Sequence, residues 1–169
     1  MDTIKAIKTR RSVRKYTNET LTDEIVKILL ESAMSGPSAG NQQPWQFLVI
    51  NDHEIIDKIP EVHQGAPYAP DAPLAILVCG DTNLEKFKGF WSIDCSIATQ
   101  NLLLAAHAEG LGAVWTGVYP MEDRVSGIKD LLDLPENIIP FAFIPIGYPD
   151  QELAPIDRYD ESRVHYNKF

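Results

Sequence analysis

SIDCSIATQNLLLAAHAE, residues 92 to 109, decides the fold because it is the longest helical pattern of the chain and is apolar on nearly all sides. We predict a helix from about Ser92 to Glu109 that ends at Gly110, since glycine favours the backbone turn that closes a helix. A helix without a polar face has to be covered all round. The stretch therefore predicts a helix that is covered by its own sheet or by a second subunit.

Strand patterns lie on both sides of this helix. They are WQFLVI (45–50), LAILVC (74–79, bounded by Pro73 and Gly80), LGAVWTG (111–117) and IIPFAFIPIG (138–147). Further helices are predicted for TIKAIKT (3–9) after Asp2, for DEIVKILLESAMSG (23–36) after Thr22, for EIIDKI (54–59) and for EDRVSGIKDLLDL (122–134). Helix patterns separate most strand patterns, so the class is α/β or α+β around one mixed sheet. We expect a single domain over residues 1–169, in which residues from about 150 to 169 form an extended arm.

The charge of the chain is uneven. Its 169 residues carry 15 Lys plus Arg against 24 Asp plus Glu, a net charge of −9, yet six of these cations lie within the first sixteen residues. Nucleic-acid binders usually carry a basic balance, so a small anionic ligand fits this local cluster better than a polymer does. No apolar run reaches the length of a membrane span, and the N-terminus has no apolar signal core.

The cysteines and histidines give no metal-binding pattern. Cys79 and Cys95 lie in apolar segments without a CxxC spacing, and the four histidines show no ligand spacing with them. We therefore expect no metal, no nucleic acid and no membrane partner. Buried free thiols further suggest a cytoplasmic protein.

RRSVR, residues 10 to 14, is the centre of the basic cluster. In an extended segment the side chains of Arg10, Ser12 and Arg14 leave on one face. Two guanidinium groups and a hydroxyl on one face would suit a phosphate, because Arg binds phosphate oxygens through two parallel bonds. The alternative for this segment alone is a solvated basic turn.

Two further stretches could bind a flat polar ligand. GPSAGNQQPWQF (36–47) combines small residues, which let a ligand approach the backbone, with three amide side chains that both donate and accept. WTGVYP (115–120) follows a strand directly, where ligands of open α/β sheets often bind. Taken alone, the first stretch could equally be a helix-to-strand connection, and the second is a weak signal.

Together, in this order, these stretches resemble the nitroreductase family of flavin-dependent oxidoreductases. RRSVRKY, PSAGNQQPWQF, the pattern from Asp94 through QNLLLAAHAEGLGAVW, and RYDESRVHY all match that family, and the resemblance covers essentially the whole chain. It implies an α+β fold of three layers, with a central mixed and mostly antiparallel sheet flanked by helices. It also implies a homodimer with FMN at the subunit interface.

The resemblance also assigns roles to residues of this chain. Arg10 would bind the FMN phosphate, Arg158 would complete the phosphate site, and Arg14 would reach the phosphate or the N1–C2=O edge of the flavin. The backbones of Thr116 and Gly117 would donate near N5 and O4. Ala39 stands where the family often has serine, so its contact would be through the backbone. The full set of expected FMN contacts is Arg10, Arg11, Ser12, Arg14, Pro37, Ser38, Ala39, Asn41, Gln43, Thr116, Gly117 and Arg158. Of these, Pro37, Ser38, Ala39 and Asn41 would come from the second subunit, with Gln43 nearby.

The expected activity is transfer of hydride from NADH or NADPH through FMN to a nitroaromatic, a quinone or a similar oxidised acceptor, in a ping-pong reaction. The flavin carries this chemistry, so no catalytic acid, base or nucleophile is required of the protein. A positive group near N1 would favour the reduced flavin, and Arg14 is the candidate. The alternatives are a flavin-binding sensor or carrier without fast turnover, and a flavin-fragmenting or dehalogenating member of the family.

Overall fold

A computed structural model describes residues 1–154 and 156–169 of the chain. The helices are α1 (Thr3–Thr9), α2 (Asp23–Met34), α3 (His53–Ile56), α4 (Ile59–Val62), α5 (Trp91–Ala108) and α6 (Glu122–Leu131). The strands are β1 (Trp45–Ile50), β2 (Leu74–Asp81), β3 (Gly112–Ala113), β4 (Thr116–Gly117) and β5 (Ile138–Gly147). Short 3-10 turns occur at Ala39–Asn41, Ala69–Asp71, Thr82–Leu84 and Glu161–Arg163.

The five strands form one sheet in the order β1-β2-β5-β3, and β4 also pairs with β5. All the strand pairs are antiparallel. Beside β3, Ser12 makes an isolated parallel bridge to Ala113, and this is the one parallel pairing in the part of the chain that the structure describes. The α+β class and the mostly antiparallel sheet predicted from the sequence are confirmed.

Helices cover both faces of the sheet because the side chains of β2 alternate between two hydrophobic clusters. Leu74, Ile76 and Val78 pack with residues of α2 and α5 on one face. Ala75, Leu77 and Cys79 pack with residues of α3, α4 and α6 on the other. The strand is buried along nearly its whole length, as expected for the middle of three layers.

The predicted helix ends are formed by local contacts. The Asp2 carboxylate accepts the N–H of Lys5 at 3.1 Å, and the Thr22 hydroxyl accepts the N–H of Ile25 at 3.3 Å. At the end of α5, Gly110 has φ +82°, and Leu111 donates to the Ala106 carbonyl at 2.8 Å. The sequence therefore located the ends of these helices to within two residues.

The strand predicted over residues 111–117 is interrupted. β3 and β4 keep one register with β5, since Gly112 pairs with Gly147 and Thr116 with Phe143. Between them, Val114 approaches the Pro145 carbonyl at 3.4 Å, and Pro145 has no N–H to return a bond. The ladder lapses at Val114–Trp115 for this reason.

Two smaller predictions, for the end of β2 and for residues 54–59, are also corrected. β2 continues through Gly80 to Asp81, because both residues still pair with β5. The helix expected at 54–59 is two short helices, α3 and α4. The region expected as an extended arm contains a 3-10 turn at Glu161–Arg163, and residue 155 of that region lies outside the described residues. Among residues 1–154 and 156–169, no helix combines the length and the apolarity needed to cross a membrane.

Candidate functional site

The RRSVR segment runs along the open edge of the sheet. Arg10 ends α1, and after it Ser12 bridges to Ala113 while Val13 donates its N–H to the Ala113 carbonyl at 3.1 Å. Val13 is buried, and both Arg10 and Ser12 are partly exposed. The segment therefore runs beside the outer side of β3 and is held there by this single bridge.

Positive charge accumulates at the start of this segment. The pKa of Arg10 is lowered, first by partial burial and then by the nearby guanidinium groups of Arg158 and Arg11. Within the described part of the chain no carboxylate lies within 4 Å of Arg10. Because like charges without a counterion repel one another, this cluster favours binding of an anion, and a phosphate fits its bidentate donors.

The other two arginines of the segment have different surroundings. The Arg11 guanidinium donates to the Ala154 carbonyl, which connects the segment to the C-terminal region. The exposed Arg14 guanidinium lies over the ring of Tyr68, 5.4 Å from its centroid. The backbone N–H of Arg14 donates to the side-chain oxygen of Gln151 at 3.1 Å. Arg10 and Arg158 thus lie near enough for their charges to repel one another, whereas Arg14 lies against an aromatic ring.

The register of β4 shows which backbone groups face the open edge. Val118 donates to the Phe141 carbonyl at 3.0 Å, so the alternation of an antiparallel ladder turns the N–H of Thr116 towards β5 and that of Gly117 away from it. The Thr116 hydroxyl also donates to β5, to the Phe143 carbonyl at 2.5 Å. Gly117 therefore offers the N–H that the sequence assigned to Thr116 and Gly117 jointly.

Gly117 also leaves an open space. A Cβ built at this position would meet no atom within 4 Å, and its φ is not positive. Each of the other nine glycines either has a positive φ or would bring a Cβ into contact with a neighbour. Nothing in the described part of the chain requires glycine here, and glycine inside a strand often marks the close approach of a ligand.

Two side chains from the helical layer approach the backbone of β4. The Arg124 guanidinium of α6 donates to the Gly117 carbonyl at 2.8 Å. The buried His63 accepts the Gly65 N–H at its Nδ1, at 3.2 Å, and its Nε2 has no hydrogen-bond partner among the described residues. The pKa of His63 is lowered mainly by burial and next by the charge of Arg124, against opposing contributions from Asp123 and the Thr116 backbone.

The loop 36–43 has an unusual backbone. Gly40, Asn41 and Gln43 have φ of 52°, 54° and 45°, and such left-handed conformations are uncommon for residues other than glycine. Asn41 and Gln43 are exposed, and Ser38 is occupied within the loop, where its hydroxyl accepts the Gln43 N–H at 3.0 Å.

A buried carboxylate holds this loop. Asp94, in the first turn of α5 and only 2% exposed, accepts the Ala39 N–H at 3.0 Å and the Gln42 side-chain amide at 2.6 Å. The Gln42 side-chain oxygen in turn accepts the N–H groups of Lys86 and Phe87 at 2.7 and 3.1 Å. The strained loop is thus fixed to α5 and to the segment that precedes it.

The predicted residues fall into two sets on opposite edges of the sheet. The set of Arg10–Arg14, Gly117 and Arg158 borders β3 and β4, whereas the loop 36–43 leads into β1 at the other edge. Strands lie about 4.8 Å apart, so the intervening strands separate the sets by roughly 14 Å. A cleft of about 790 Å³ is lined by residues such as Lys15, Asp23 and His53, and none of the twelve predicted residues lines it. One chain alone does not bring the twelve together.

Arg124 and His63 were not found by sequence reasoning. Arg124 lies in α6 and His63 directly follows α4, and neither belongs to a motif. One signal for Arg124 was available: a cation in the first turn of a helix is unfavourable beside the positive end of the helix dipole, so it needs another interaction.

Comparisons with known proteins give a consistent result. The model of the nitroreductase family matches residues 7–91 and 66–148. A Methanothermobacter thermautotrophicus protein, provisionally named NADH dehydrogenase/NAD(P)H nitroreductase, is 53% identical over 169 residues, which cover 100% of this chain and 88% of the relative. A Parabacteroides distasonis crystal structure with the same provisional name superposes with a TM-score of 0.95 at 40% identity, covering 99% of this chain and 98% of that one. A Desulfovibrio desulfuricans structure, described provisionally as a nitroreductase in complex with FMN, gives a TM-score of 0.86 at 32% identity, over 100% of this chain and 98% of the other.

Proposed function

Because the chain belongs to the nitroreductase family, we propose that it is an FMN-dependent oxidoreductase that uses NADH or NADPH as electron donor. The observation that carries this proposal is the edge of the sheet beside β3 and β4. At one end it presents a guanidinium cluster for which no salt bridge is found among residues 1–154 and 156–169, and at the other an outward N–H beside open space. A phosphorylated ligand with a flat, hydrogen-bonding ring fits this combination.

The residues of the edge would share the binding of FMN. Arg10 and Arg158 would hold the phosphate, since their mutual repulsion is relieved by an anion. Gly117 would donate its N–H to the N5–O4 side of the ring, and the missing side chain would allow close approach. When bound, FMN supplies the chemistry of accepting a hydride and passing electrons onward, so the protein has to bind, orient and tune it.

A homodimer would complete the site. The loop 36–43 lies at the sheet edge opposite Arg10 and Gly117, so its FMN contacts would be made to the cofactor of a second copy. Apolar side chains support such an assembly: Ile4, Ile28 and Ile93 of α1, α2 and α5 are 59%, 40% and 52% exposed in the single chain. This would also cover the side of α5 that the sheet leaves open.

The acceptor proposed is a small oxidised molecule, such as a nitroaromatic or a quinone, reduced in a ping-pong reaction after the nicotinamide leaves. The buried free thiols Cys79 and Cys95 fit the cytoplasmic location expected for such an enzyme. Burial raises the pKa of the Cys79 thiol to about 12, so that thiol is not a competing nucleophile.

The test is a visible absorption spectrum of the purified protein, repeated without oxygen after addition of NADH or NADPH. About one flavin per chain, with fast bleaching followed by reoxidation by a nitroaromatic or a quinone, is the expected result. Bound flavin that bleaches slowly would instead favour a sensor or carrier. Fast bleaching with no turnover of these acceptors would favour a flavin-fragmenting or dehalogenating activity. A colourless protein that FMN does not reconstitute would refute the proposal.

A further inference from the structure

A hydrogen bond between side chains joins the end of α5 to the end of α1. His107 Nε2 lies 2.7 Å from the hydroxyl oxygen of Thr9, the last residue of α1, and Arg10 follows Thr9 directly. The Thr9 hydroxyl is also 2.7 Å from the Lys5 carbonyl, which can only accept. The hydroxyl gives its one proton to that carbonyl, so His107 Nε2 carries a hydrogen and donates to Thr9. His107 thus holds the turn of α1 from which Arg10 extends.

This arrangement lets the charge of His107 change without breaking the contact. When the neutral ring carries its hydrogen on Nε2, the lone pair lies on Nδ1. A proton added at Nδ1 makes the ring positive and leaves the Nε2–H donating to Thr9. The link to α1 is therefore compatible with both charge states of the ring.

The phosphate site expected around Arg10 acts on this ring. His107 lies in the last turn of α5, where the helix dipole favours a cation. Its pKa is nevertheless lowered, first by partial burial and then by the charge of Arg10, which lies near Arg11 and Arg158. No carboxylate lies within 4 Å of the His107 ring among residues 1–154 and 156–169. The charge that would bind a phosphate thus opposes protonation of His107.

Other charges around α5 are exposed to solvent or lie far from this ring. On the helices that pack against α5, the charged side chains are all exposed: Lys5, Lys8, Asp23, Glu24, Lys27 and Glu31. Glu109, two residues beyond His107, is exposed as well. Asp81 of β2 and Asp94 of α5 lie near the opposite end of the helix, roughly 20 Å away. Water screens the exposed charges, so Arg10 is the charge that chiefly acts on His107.

Resting on the proposed binding of FMN, we propose that His107 is a positioning residue of the phosphate site, which holds Arg10 through Thr9 and takes up a proton when the phosphate binds. A phosphate monoester carries close to two negative charges near neutral pH. It offsets the charge of the arginines and so removes the repulsion that opposes a positive imidazole ring. The proton comes from the solvent and adds to Nδ1, and the protonated ring then contributes a further positive charge beside the anion.

The test measures the Kd for FMN of the wild type and of His107→Gln between pH 8 and pH 6. Glutamine keeps an N–H donor for Thr9 but cannot take a proton, so the two proteins should bind FMN within about twofold of one another at pH 8. At pH 6 only the wild type gains from proton uptake, and its advantage over the variant should grow by about threefold. The FMN phosphate itself titrates at about pH 6, but it does so equally for both proteins and cancels in the ratio of their Kd values.

Two controls isolate the phosphate and the ring. Riboflavin lacks the phosphate, so the ratio of the Kd values of His107→Gln and the wild type for riboflavin should not change with pH. His53→Gln removes a histidine whose exposed ring lies 3.8 Å from Asp57 at the end of α3. Its Kd for FMN should match that of the wild type at each pH.

A purely structural role would weaken FMN binding in His107→Gln by the same factor at every pH, and that result would overturn the inference. If His107→Gln does not fold, the assigned His107 ring is titrated by NMR in the wild-type apoprotein and holoprotein, and a pKa that FMN does not raise would refute the inference equally. A wild type that binds FMN and bleaches, beside a ratio that is independent of pH, removes this inference alone. A wild type that does not bind FMN removes the proposed function as well.

Discussion

Replacing Gly117 by alanine separates stability from cofactor binding. Within the chain the new Cβ meets no atom within 4 Å, and the backbone is not in a glycine-only conformation. Alanine at such a position usually stabilises a protein by about 0.4–1 kcal/mol, because it restricts the unfolded chain. We therefore expect the free energy of unfolding of the apoprotein to stay the same or rise slightly.

Binding of FMN should respond in the opposite direction. If the flavin ring lies against this glycine, one extra methyl group overfills the contact at a cost of about 1–3 kcal/mol. Since 1.4 kcal/mol is tenfold in affinity, the Kd for FMN should rise by about 5- to 150-fold. The assay is quenching of FMN fluorescence on titration with apoprotein, paired with urea denaturation of the same preparation.

Gly110→Ala provides the matched control. Its φ of +82° is unfavourable for alanine, and its surroundings are equally open, so stability should fall by about 1–2 kcal/mol while the Kd for FMN stays unchanged. An FMN affinity of Gly117→Ala equal to that of the wild type would refute the placement of the flavin against Gly117. A loss of apoprotein stability in that variant would refute the reasoning about open space.

Three further predictions concern charges. Arg10→Met should weaken FMN binding by at least about tenfold, through loss of a charge-assisted bond to phosphate, and an unchanged Kd in equilibrium dialysis would count against the phosphate site. Asp94→Asn should cost about 1–3 kcal/mol in urea denaturation, because a donor would then face the Ala39 N–H or the Gln42 amide; no loss would mean that the loop is held otherwise. The pKa of His63 is lowered from its ordinary value of 6.5, so only the unfolded chain gains this proton as the pH falls below 6.5. The free energy of unfolding should therefore decline from pH 7 to 5.5, and it should decline less steeply in His63→Gln. An equal decline in the wild type and in His63→Gln would contradict a lowered pKa of His63.

Local signals in the sequence were sufficient for most elements. Asp2 and Thr22 cap helices as their positions predicted, and the apolar run of β5 forms a strand despite two internal prolines. Those features depend on contacts within a few residues, which a sequence displays directly. The family resemblance, carried by RRSVR and PSAGNQQPWQF, supplied what composition and periodicity left open.

What the sequence did not show depends on pairing between distant segments. The orientation of Gly117 follows from its register with β5, and the contact of Arg124 with its carbonyl requires α6 to lie behind that strand. The Gln42–Asp94 contact likewise joins residues 52 positions apart. Such relations arise from tertiary packing, and neither residue type nor local spacing predicts them.

Pro145 has a consequence for how the sheet assembles. Its carbonyl receives the Val114 N–H, so its nitrogen also faces β3, and the missing donor weakens only that outer pairing. A shift of β5 by one residue would rotate the strand and turn the same nitrogen towards β2, in the interior of the sheet. The misaligned chain would then bury an unpaired carbonyl, at about 1–3 kcal/mol. The missing N–H of Pro145 thus destabilises an incorrect alignment of the central strands more than it weakens the native sheet.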